Sequence, residues 1–110
     1  MGGARQEQRG EGEVANLESV MQELSRAGFQ ADGARAQEEL SRNPTMTAGD
    51  AACRAVPRKD WARARGTLGL IVDQSAGMQA CGEAIEAMRA HNVSREIIDA
   101  QLAELDYWQN

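Results

Sequence analysis

The sequence predicts an all-α protein, a small bundle of four to five helices with a disordered N-terminal tail. Three features lead there. Apolar side chains recur at intervals of three and four along most of the chain, the repeat of a helix with one buried face. No stretch sustains period-two alternation, so no sheet is expected. Residues suited to starting and stopping helices fall between the apolar runs.

Residues 1–13, MGGARQEQRGEGE, lack large apolar side chains beyond Met1 and read as a disordered tail. Residues 14–110 read as one helical domain. A first helix is expected from near Asn16 to Ala27, with Leu17, Val20, Met21 and Leu24 on one face and Asn16 as its cap. Gly28 suits a left-handed residue after that helix, and Phe29 then reaches back to Leu24 in a Schellman ending. Asp32 is placed to cap a second helix over 33–42, which Asn43-Pro44 stops. Thr47, three residues before Asp50, opens a short helix near 48–55 that carries Cys53. Pro57 ends that helix or begins the next.

No strong stop appears between Arg58 and about Ala90. Trp61, Leu68, Ile71, Met78, Ile85 and Met88 keep one helical phase, and a stripe of small residues runs beside them: Ala62, Gly66, Gly69, Ala76, Ala80, Ala84 and Ala87. Such a stripe lets a second helix backbone come close. The expectation is two helices broken near Ser75–Gly77, because a single helix of this length is unusual in a chain of 110 residues. Val93, Ser94 and Ile98 mark the start of a last helix, whose apolar face is Ile97, Ile98, Leu102, Leu105 and Trp108.

The core of such a bundle is thin. Apolar residues make up 42% of the chain, but 19 of them are alanine, and Leu, Ile, Val and Phe together number 17. Alanine buries far less than the ~1.5–3 kcal/mol worth of surface that a leucine or isoleucine does. A dimer or a bound partner would add stability.

Charge is segregated. Residues 1–42 carry a net −3, residues 43–74 a net +2 and residues 75–110 a net −4. The net −5 argues against a general binder of nucleic acid or anionic membrane. No apolar run approaches a membrane span, and no secretory h-region is visible, so the expected location is cytoplasmic. Cys53 and Cys81 match no zinc spacing and are expected to be two buried free thiols. With a single histidine, His91, at a helix end, no nucleophile–base pair, metal cluster or phosphate loop is legible, and no cofactor or enzymatic activity is expected. Residues 20–40 fit a DNA-reading helix-turn-helix poorly, because the would-be recognition helix carries two carboxylates against two arginines.

Two surfaces stand out. The stretch PRKDWARARG at 57–66 crowds Arg58, Lys59, Arg63 and Arg65 around Trp61. Cations in the first turns of a helix oppose its dipole, so carboxylates of the fold are expected to offset them, with Glu38, Glu39, Asp99 and Asp106 as candidates. Asp60 is a local partner for Arg63, and Arg65 is one turn from Trp61, in reach for stacking. Tyr107 and Trp108 close the last helix; Trp108 continues its apolar face and Tyr107 does not. Aromatic residues of this kind anchor protein interfaces. The function expected is a small non-enzymatic protein-binding regulator (an inhibitor, an immunity or antitoxin protein, or an adaptor). Its partner-binding residues are taken as Arg58, Lys59, Trp61, Arg63, Arg65, Tyr107 and Trp108. Two alternatives follow from the same features. One is a nucleic-acid binder using the basic turn 58–65. The other is a self-assembling protein using the small-residue stripe as a homo-oligomer contact.

Overall fold

The computed structural model describes residues 17–109, with the side chains of Gln74, Trp108 and Gln109 outside that description. The expected tail over 1–13 and the Asn16 cap also lie outside the described residues. Among those described, the chain is helical without strands: α1 spans residues 17–26, α2 Gly33–Arg42, α3 Ala48–Arg54, α4 Trp61–Thr67, α5 Gly77–Ala90 and α6 Arg95–Gln109. Two 3₁₀ turns, Arg58–Asp60 and Gln74–Ala76, lead into α4 and α5. The six α-helices among the described residues exceed the four to five expected, since the seven-residue α3 and α4 each stand as separate helices.

Local signals place the helix ends. The Asp32 carboxylate accepts from the Ala34 and Arg35 amides at 3.0 and 3.3 Å, and Thr47 Oγ1 accepts from the Asp50 amide at 3.1 Å. These bonds satisfy amides that have no partner within the helix. Three helices end alike. The Phe29 amide donates to Leu24 O at 2.9 Å, that of Leu70 to Arg65 O at 2.8 Å and that of Val93 to Met88 O at 3.0 Å. In each case the intervening residue, Gly28, Gly69 or Asn92, has positive φ. This is the Schellman geometry. At Gly69 it ends α4 after Thr67, ahead of the Ser75–Gly77 break expected. Gly77, also at positive φ, then separates the second 3₁₀ turn from α5.

The buried apolar residues form a larger cluster from α1 to α4, including Leu17, Leu24, Phe29, Cys53, Val56 and Ala64. A smaller one joins Val72, Cys81 and Ala84, with Ala62, Ala80 and Leu105 packed against it. Among the described residues seven of the sixteen buried apolar ones are alanine, so helices approach closely while each contact buries little. The closest approach lies in the small-residue stripe. A Cβ added at Gly66 would fall 2.8 Å from Ala84 Cα and 2.9 Å from its carbonyl carbon. Gly66 and Ala84 are thus used within the monomer. Ala62 and Ala80 pack on the same cluster and line one cleft, while Thr67 lines another hollow with Ala87 and Ala90. The two helices therefore run side by side in the same direction, and residues 68–76 carry the chain back between them.

Replacing Gly66 by alanine should lower stability. The added methyl meets backbone, and overpacking costs about 1–3 kcal/mol against the roughly 1 kcal/mol that alanine contributes to a helix. Gly82, on α5 with nothing within 4 Å of an added Cβ, should behave oppositely, with Gly82→Ala gaining about 0.4–1 kcal/mol. Urea denaturation of both variants checks the pair; a Gly66→Ala protein as stable as Gly82→Ala would contradict the close approach.

Candidate functional site: a cleft beside the basic turn

Helix α4 packs on both α3 and α5, and the groove above it is a cleft of about 810 Å³. It is lined by Arg54 of α3, by Arg58 and Lys59 of the 3₁₀ turn, by Trp61, Ala62 and Arg65 of α4, and by Asp73, Ser75, Gln79 and Glu83 of the return segment and α5, which make its far wall. Arg58, Lys59, Trp61 and Arg65, four of the seven residues singled out from the sequence, thus meet at one place. Arg63 does not line this cleft: its guanidinium lies 5.1 Å from the Phe29 ring centroid, beside a separate hollow shared with Glu86 and His91. Tyr107 is 70% exposed on α6, away from the cleft lining, and the Trp108 side chain lies outside the described residues.

The cations of PRKDWARARG take different partners. Arg65 Nη1 is 2.5 Å from Asp50 Oδ1, and its Nη2 donates to Ile71 O at 3.1 Å. Arg63 pairs with Asp60 at 3.3 Å, the local bridge expected. Three of the four carboxylates expected as tertiary partners are engaged elsewhere: Glu38 with Arg42, Glu39 with Arg54 at 3.7 Å, and Asp99 with Arg95. Trp61 stacks with Arg58, at 5.5 Å from the ring centroid, and not with Arg65. The reason is that the bond to Asp50 draws Arg65 toward α3. The indole N–H of Trp61 donates to Val56 O at 2.9 Å, which fixes the ring under Arg58. Lys59 is exposed, and neither it nor Arg58 forms an ion pair among the described residues.

The far wall is held by two anchors. Asp73 Oδ1 accepts from the Ser75 amide at 2.8 Å. Hydrogen bonds from the Ser75 amide and side chain, aided by the Arg65 charge, hold the Asp73 carboxyl below its ordinary pKa. The Val72 amide donates to Gln101 Oε1 at 2.6 Å. Gln101 is fully buried on α6, and its Nε2 has no hydrogen-bond partner among the described residues.

Both cysteines are free and buried. Burial pushes the Cys53 thiol up to about 12, against a smaller opposing effect of Arg65, and burial raises Cys81 as well. Neither has the thiolate character of a nucleophile. Among the described residues no group of three His, Cys, Asp or Glu side chains is placed to hold a metal ion, and no helix is long and apolar enough to cross a membrane. No family model, curated protein or solved structure matches the chain.

Cys53 and the far wall were not singled out from the sequence as part of a site. The Asp50–Arg65 pair, fifteen residues apart, leaves no local signal. The Asp-x-Ser turn at 73–75 and the Gln79–Glu83 pair one helical turn apart do have local patterns.

The thiol shift has a measurable consequence. An unfolded thiol ionises near 9.0, whereas folded Cys53 keeps its proton to about 12. Above pH 9 the unfolded state therefore binds fewer protons, and stability should fall as pH rises from about 9 toward 12. Cys53→Ala should flatten that fall. Native protein at pH 8 should leave both thiols unmodified by an aromatic disulfide reagent until denaturant is added; rapid native labelling would contradict their burial.

Proposed function

We propose that this chain is a small non-enzymatic protein-binding regulator, of the inhibitor, immunity or antitoxin, or adaptor type, acting through the cleft beside the 58–65 turn. The observation that carries this reading is Arg58. Its guanidinium is stacked over a tryptophan that is itself hydrogen-bonded to the backbone, at the edge of a cleft large enough for several side chains. A guanidinium ordered in advance loses less freedom when it takes a carboxylate. Lys59 adds a second cation beside it. Arg65 is tied to Asp50 and the Ile71 carbonyl, and Arg63 pairs with Asp60 outside the cleft lining, so both rank behind Arg58 and Lys59 as contact residues. Tyr107, largely exposed on α6, is a second contact point, as an aromatic side chain at a helix end suits an interface.

Affinity capture from nuclease-treated native lysate tests this. The wild-type chain should retain a stoichiometric protein, and an Arg58→Ala/Lys59→Ala variant should bind it at least about tenfold more weakly, a difference of ~1.4 kcal/mol. Retention of nucleic acid alone from untreated lysate, lost in the same variant, would reverse the reading in favour of a nucleic-acid binder.

A further inference from the structure

The cations and the carboxylates that line the cleft come from different elements, and this narrows what can fill it. On the 3₁₀ turn, Arg58 and Lys59 form no ion pair among the described residues, while Arg54 of α3 is shared with Glu39. On the far side stand the carboxylates of Asp73 and Glu83. Between them the floor is apolar and low, with Ala62 and Ala80 beside Trp61. Arg65 and Asp50, both in the lining, neutralise each other. A nucleic acid, charged at every phosphate, would gain from one wall and be repelled by the other. Asp73 remains a carboxylate even in mild acid, because its hydrogen bonds to Ser75 favour the charged form. A single small anion would leave most of the 810 Å³ unfilled.

We infer that the cleft receives a segment of a partner protein with carboxylates along one edge, small apolar side chains in the middle and at least one cation along the other edge. This rests on the protein-binding reading above and specifies the chemistry of the partner. The acidic edge lies on Arg58 and Lys59, where the fork of the guanidinium takes a carboxylate through two parallel N–H donors. The apolar strip lies on Trp61 and the alanines, whose small side chains leave room for it. The basic edge faces Asp73 and Glu83. The charges set orientation and discriminate against wrong partners, and the apolar floor supplies the area removed from water.

Panning a phage-displayed library of random 16-residue peptides against the full chain tests the assignment. The peptides enriched should combine Asp or Glu with Leu or Ala and at least one Lys or Arg. A synthetic copy of an enriched peptide should bind Arg58→Glu/Lys59→Glu at least about tenfold more weakly by fluorescence anisotropy, and Glu83→Lys should weaken it as well. Changing the acidic residues of that peptide to lysine should restore binding to Arg58→Glu/Lys59→Glu. This rescue separates lost complementarity from lost fold; both substituted residues are exposed, and circular dichroism checks the variant directly. Enriched peptides that bind the charge-reversed variant equally well, or that depend on Tyr107, would overturn the cleft assignment and leave the protein-binding reading standing. Failure to enrich any peptide would overturn the assignment too, and lysate capture would then decide the broader reading. Tighter, steeply salt-dependent binding of a random 16-nucleotide RNA, lost in Arg58→Glu/Lys59→Glu, would overturn both.

Discussion

Gly66 has no side chain to hold α4 away from the backbone of Ala84, and the two helices meet there at a distance no other residue type permits. The cleft follows from that contact. Because α4 and α5 lie side by side in the same direction, the chain cannot join them with a tight hairpin. It must return along residues 68–76, and this return segment becomes the far wall. The left-handed residues at Gly69 and Gly77 turn the chain at each end of it. A core rich in alanine suits such an arrangement, since helices with small side chains approach closely and gain through backbone proximity what they lack in side-chain bulk.

The basic stretch is divided between structure and surface. Arg65 reaches the Asp50 carboxylate and the Ile71 carbonyl, so it joins α3 to the return segment. Arg63 covers Phe29 and pairs with Asp60. Both have partners within the fold, although the Arg63 side chain stays 53% exposed. Arg58 and Lys59, on the 3₁₀ turn before α4, are presented outward. The division follows from geometry: a short turn that precedes the packed helix has no neighbouring element to bury its side chains. A chain with net negative charge can thus hold a local cationic edge without becoming a general polyanion binder.

Much of the local structure was legible in the sequence. Asp32, Thr47 and Gly28 act where their chemistry placed them, and the Asp60–Arg63 pair formed as spacing implied. These features depend on neighbours within five residues. One stop of the same local kind is hidden by the pattern around it: the apolar phase from Trp61 to Met88 continues unbroken in the sequence, yet the helix stops at Thr67, because Gly69 takes a positive φ and Leu70 bonds back to Arg65 as Phe29 does to Leu24. The rest of what the sequence did not reveal depends on distant residues. The exchange of stacking partner, from Arg65 to Arg58, followed from the reach of Asp50 across α3 and α4. Four of the proposed contact residues converge on the cleft, while the far wall needed the return segment to be seen.

Gln101 adds a property of a different kind. Helix α6 buries this amide where an aliphatic residue would usually sit; its oxygen is matched by the Val72 amide at 2.6 Å, while its nitrogen is left without a partner among the described residues. An unmatched buried donor costs about 1–3 kcal/mol. In exchange, α6 is given a single axial position. Half-buried Leu102 and Leu105 would tolerate a slide by one turn over a surface of alanines; a carbonyl that must meet one particular amide would not. The last helix is keyed in place by a polar residue, and uniqueness of docking is obtained at the expense of strength.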